Sequence, residues 1–149
     1  MVAGAKAHGR SDIARTARAG RRLALAAVFE AEFGQHTAEG ILERHLAETE
    51  GDPATAEFAR ALVSIVVARR ADIDALIERT APQYPVVQLA RMDRSLLRCA
   101  IGEVLHSAST PARVAIAEWV DLARTYSGDP ARRLMNGVLG KIDRDRPGA

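Results

Sequence analysis

The amino-acid sequence predicts an all-α protein of about seven helices, and three observations carry that expectation. Apolar residues recur at helical spacing along most of the chain. Asp52-Pro53, Thr110-Pro111 and Asp129-Pro130 each place a capping residue before a proline, a combination suited to the first turn of a helix. No segment alternates in the manner of a strand, and aromatics are only 4% of the 149 residues. A core built from Ala, Leu, Val and Ile suits closely packed helices better than a sheet.

The elements follow in order. Residues 1–12, with Gly4, His8 and Gly9, read as a flexible basic arm. Residues 13–145 read as a single helical domain and 146–149 as a C-terminal tail. The helical pattern begins near Ile13. Leu25, Val28, Phe29 and Phe33 form its stripe, and Gly34 suits a C-cap. Residues 38–47 form a second helix around Ile41, Leu42 and Leu46. From Pro53, the residues Phe58, Leu62, Ile65, Val66, Ile73 and Ile77 make one long stripe, with room for a break at residues 70–72. Ala81-Pro82 and Tyr84-Pro85 then interrupt regular structure, because proline pushes the preceding residue out of the helical region. Residues 89–105 are apolar on more than one face, which predicts a central helix packed from several sides. The helix opened by Thr110-Pro111 sets Ile116, Trp119, Val120 and Ala123 on one side, and the last helix carries Leu134, Met135, Val138, Leu139 and Ile142.

Composition excludes several classes of function. One cysteine, Cys99, permits no internal disulfide, and its apolar helix makes it a buried, inert thiol. No stretch approaches the roughly 20 apolar residues that span a bilayer, and residues 1–22 hold no apolar signal region, so a cytoplasmic protein is expected. The four histidines are scattered without a second ligand at metal spacing, so neither a metal nor another cofactor is expected. Neither a phosphate loop nor a nucleophile motif is present, and no enzyme is predicted.

Charge is more informative. The net +2 hides a balance of +5 over residues 1–22 and +3 over residues 132–149, around an acidic middle. Such ends suit a polyanion, although a solvated basic tail has the same composition. Arg15, Arg18 and Arg22 fall at i, i+3 and i+7, one helix face, with Arg21 beside Arg18. Guanidinium forks in a row match phosphate oxygens, and the lack of interleaved aromatics argues against a base-stacking platform. Asn136-Gly137 sits inside an apolar helical pattern although both are poor helix formers. That points to a close backbone approach or an amide used in contact; a kinked or late-starting helix is the alternative. Glu103 and Glu118 lie beside apolar surface and are candidates for an acidic partner-binding patch, or plain solvated or hydrogen-bonded carboxylates.

Taken together these segments resemble the NusB family over residues 18–142. Arg21, Ala24, Val28 and Phe29 are similar to its arginine-rich first helix, and Asp93, Leu97, Arg98, Ala100, Ile101, Glu103 and Leu105 to its central helix. Pro111, Val114, Ala115, Ile116, Glu118, Leu122 and Ala123 resemble its proline-started helix with a glutamate, and Asn136, Gly137, Val138 and Leu139 match its Asn-Gly-Val-Leu signature. The chain departs from the family pattern at Leu134, where an aromatic is frequent, at Ala117, where Asn is usual, and at Gly102, where a tyrosine is frequent.

The resemblance implies two packed helical subdomains and no catalysis. It implies binding of boxA-type single-stranded RNA in ribosomal RNA transcripts together with a small-subunit ribosomal protein, NusE, within an RNA polymerase antitermination complex. It assigns RNA contact to Arg18, Arg21 and Asn136, to which helical spacing adds Arg15 and Arg22. Two alternatives share the fold: a stand-alone scaffold or homodimer with non-specific RNA binding, and a regulatory domain of an rRNA-processing system.

Overall fold

The computed structural model describes residues 2–147, with side chains from Ser11 onward. It is all-helical: α1 (Val2–Ala31), α2 (Ala38–Glu48), α3 (Pro53–Thr80), α4 (Arg91–His106), α5 (Ala112–Ser127) and α6 (Asp129–Asp145), with a 3-10 turn at Val86–Gln88 before α4. The described residues contain six α-helices where the sequence suggested about seven. α3 runs unbroken through residues 70–72, since no proline or glycine interrupts Ala71 and its neighbours.

The chain divides into two compact units, Met1–Val63 and Ser64–Ala149, with the division inside α3. In the first unit α1 packs on α2. Ala24, Leu25, Ala27 and Val28 of α1 are buried, as are Ile41 and Leu42 of α2. The residues expected as a flexible arm belong to α1 from Val2 on; alanines at positions 3, 5, 7 and 14 are strong helix formers there. Gly34 ends the turn after α1 at φ 75°, where its amide donates to the Ala31 carbonyl at 3.1 Å. Thr37 caps α2, its hydroxyl accepting from the Gly40 amide at 3.1 Å, and Asp52 accepts from the Ala54 amide at 3.2 Å at the start of α3.

In the second unit α4, α5 and α6 pack together. Every residue of α4 from Ser95 to Val104 is buried, as a helix hydrophobic most of the way round requires. Gly102 packs closely on α3: a Cβ there would stand 3.3 Å from the Cγ2 atoms of both Ile65 and Val66, a tight contact that those side chains would have to give way to. Two polar links, one part-buried and one buried, tie the helices. Arg98, 4% exposed, donates through Nε and Nη2 to both oxygens of Asp74 at 2.8 and 2.9 Å. The Trp119 indole Nε1 donates to Glu103 Oε1 at 2.8 Å, with both residues almost fully buried.

Two of the three proline starts differ in detail from expectation. Pro111 is itself the N-cap of α5, with ψ 139°, and its carbonyl accepts from the Ala115 amide. Thr110 therefore lies outside the helix. At α6 the N-cap is Gly128, at φ 94°, and Asp129 begins the helix. Its carboxylate accepts from Arg132 Nε at 2.8 Å, and that hydrogen bond holds it below the usual carboxylate range.

Candidate nucleic-acid interface

The sequence-derived arginines separate into two kinds. Arg15, Arg18 and Arg22 are exposed along α1. Arg15 donates to Asp12 at 2.9 Å, a pair with side chains 71% and 50% exposed. An exposed i,i+3 pair of this kind contributes little and is weakened by salt, so a phosphate can displace the aspartate at small cost. Arg21, by contrast, is 2% exposed, and its guanidinium carbon lies 5.3 Å from the centre of the Phe58 ring. The structure therefore turns inward one of the four arginines that the sequence grouped together. A helix advances about 100° per residue, so Arg21 and Arg22 cannot share a direction.

Asn136 is exposed in the middle of α6, in the second unit. Gly137 beside it is exposed too, and a Cβ there would meet nothing within 4 Å. α6 runs from Asp129 through the pair, so the helix does not start late, and among the described residues nothing comes close enough to fit the reading of a close backbone approach. What the glycine leaves is open space. It lies in an open groove of about 490 Å³ bordered by Tyr84 and Gln83 on one side and by Arg133, Leu134, Gly137 and Lys141 of α6 on the other. Tyr84 is 46% exposed. Sequence reasoning missed this groove. Its signal was there in two parts, since positions 133, 137 and 141 repeat at i, i+4, i+8, and a tyrosine between two prolines sits in a loop.

The two candidate partner-binding carboxylates also part. Glu103 is 1% exposed and bonded to Trp119, so it is a core group and cannot meet a partner directly. The partner-patch reading of Glu103 does not fit a helix buried from Ser95 to Val104, whereas the alternative of a hydrogen-bonded carboxylate does. Glu118 is half-buried on α5, one residue before Trp119. Cys99 is fully buried, and burial, with Glu103 adding to it, pushes its thiol far above the ordinary range. Among the described residues no group of three His, Cys, Asp or Glu side chains is placed to hold a metal ion, and no helix is long and apolar enough to cross a membrane.

The NusB family profile matches residues 18–144 of the chain. The chain belongs to the NusB family. Among its relatives is the transcription antitermination protein NusB of Dehalococcoides mccartyi, 37% identical over 127 residues, covering 85% of this chain and 89% of that one. The solved T. maritima NusB superimposes with a TM-score of 0.81 at 30% identity, over 87% of this chain and 92% of that one. The NusB fold is also shared with a solved complex of antitermination factors NusB and NusE with dsRNA, at TM-score 0.79 and 22% identity, over 89% and 98% of the two chains. The matched span begins at Arg18 and so includes Arg18, Arg21 and Arg22, while Arg15 lies before it.

Proposed function

We propose that this protein is a non-catalytic transcription antitermination factor that binds boxA-type single-stranded RNA of ribosomal RNA transcripts together with NusE, a small-subunit ribosomal protein. The observation that carries this reading is the outward row Arg15, Arg18 and Arg22 on α1 in a chain of the NusB family. Permanent charges in forked geometry, spaced about one helical turn apart, suit successive phosphates of a flexible strand. Asn136, exposed on α6, offers an amide that both donates and accepts, the property needed to read a base edge.

The groove beside Gly137 supports the same reading. Tyr84 supplies the aromatic face that Leu134 lacks, and Arg133 and Lys141 give the groove its positive charge. A fold shared with a NusB bound to NusE and dsRNA accords with NusE and an RNA as partners. For the protein partner we retain Glu118, whose half-buried carboxylate on α5 is accessible where Glu103 is not. In this role the protein works in the cytoplasm with RNA polymerase.

A transcription assay tests the reading. A template carrying a boxA element ahead of a terminator is transcribed with the ribosomal-protein partner, with and without this chain. Read-through that rises on adding the chain, and only on the boxA template, is expected. Equal termination on both templates would leave a helical RNA-binding scaffold, with the family fold but another task.

A further inference from the structure

Gly20, Arg21 and Phe58 form a single contact between α1 and the first turns of α3, inside the first unit. Gly20 is buried, and a Cβ built on it would stand 2.6 Å from Phe58 Cδ1 and 3.0 Å from Phe58 Cβ and Cγ. Only a residue without a side chain admits the ring at that depth. Glycine weakens a helix interior, so its place in the middle of a 30-residue helix needs a reason, and the Phe58 ring supplies one. The same ring then receives the Arg21 guanidinium at 5.3 Å from its centre. A cation over an aromatic face is held by the ring quadrupole, more strongly where water is excluded, and Arg21 is 2% exposed.

The consequence is rotational. The buried face of α1 mixes the small Ala24 and Ala27 with Leu25 and Val28, so its packing on α2 already limits rotation about the helix axis, and the Gly20–Phe58 contact adds a second constraint. A turn by one residue carries every side chain through about 100°. Phe58 seated over Gly20, with Arg21 across its face, fixes that angle on one side of α1. Arg18 and Arg22 then point to solvent together with Arg15.

We infer that Arg21 is a positioning residue for RNA binding, acting through Phe58 and Gly20 to aim the exposed arginine row rather than touching phosphate itself. This rests on the reading that the α1 row binds RNA. It also separates two arginines adjacent in sequence, Arg21 and Arg22, into a setting role and a contact role.

A double-mutant cycle read in RNA affinity tests it. The set is the native protein, Arg21→Met, Phe58→Leu and the two combined, with Arg21→Lys as the conservative variant and Arg18→Ala/Arg22→Ala as the control on the row. Each is titrated with a labelled single-stranded boxA-type RNA by fluorescence anisotropy, at a temperature where circular dichroism shows every variant folded. Phe58→Met, whose flexible chain fills gaps, replaces Phe58→Leu should the latter not fold. Arg21→Met and Phe58→Leu are each expected to weaken binding about fivefold, in keeping with a desolvated cation–ring contact. The combined variant is expected to be no weaker than the weaker single, and Arg21→Lys to bind nearly as the native protein does.

Phe58 is uncharged, so an effect there cannot be a lost phosphate contact. The inference is overturned if Phe58→Leu binds normally while Arg21→Met binds weakly and its salt slope falls by about 0.7, the mark of one direct phosphate contact. It is overturned equally if both bind normally and only melt earlier, a purely structural role. Native affinity in Arg18→Ala/Arg22→Ala would remove the row reading itself, and this inference with it; weak binding there beside uncoupled Arg21 and Phe58 removes the inference alone.

Discussion

Trp119→Ala is expected to lower the unfolding free energy by about 3–5 kcal/mol, the cost of emptying the largest buried side chain in a packed core. Against a total stability of about 5–15 kcal/mol for a domain, that loss leaves little margin. Trp119 is 0% exposed and comes from α5 into a layer made by α4 and α6, the most extensively packed part of the second unit. Part of its contribution is polar. Trp119→Phe keeps much of the volume but removes the Nε1 donor to Glu103, and leaving a buried acceptor without its partner costs about 1–3 kcal/mol. Urea unfolding followed by circular dichroism separates the two, with Phe expected between native and Ala. A Trp119→Phe protein as stable as the native one would contradict the buried indole–carboxylate bond.

Arg18→Ala/Arg22→Ala carries the second large effect, on binding and not on folding. Both side chains are exposed, so stability is expected to stay within about 0.5 kcal/mol. With about 1 kcal/mol from each phosphate contact, affinity for single-stranded RNA falls roughly thirtyfold. Removing two contacts also reduces the slope of log affinity against log salt by about 1.4. Anisotropy titrations at three or more salt concentrations give both quantities at once. A fall in affinity without a change of slope would place the lost interaction somewhere other than phosphate.

The division between what the sequence revealed and what it hid has a physical basis. Helices were legible because their signals are local. The stripe through Leu62, Val66, Ile73 and Ile77 and the Asp52-Pro53 start need no knowledge of the rest of the chain. The central helix was legible too, since apolar residues on every side require burial on every side.

The roles of Arg21 and Glu103 were not legible, for a common reason. Each is a charged residue whose type says surface, and each is buried by a partner far away in sequence. Phe58 lies 37 positions after Arg21, and Trp119 lies 16 after Glu103. Helical spacing put Arg21 close to the exposed row, but only the packing of Phe58 on Gly20 decides on which side of the boundary it falls. The groove at Gly137 was hidden in the same way. The Asn136-Gly137 pair announced an anomaly in α6, while Tyr84, which stands across the gap, belongs to another segment altogether.

The proposed function rests on selection of boxA-type RNA together with a ribosomal-protein partner. The most direct measurement is the ratio of its dissociation constants for a boxA-type RNA and a scrambled RNA of equal composition, at one fixed salt concentration, with and without NusE. A ratio that favours boxA and grows when the partner is added is the predicted result. A ratio of one, indifferent to the partner, would contradict it.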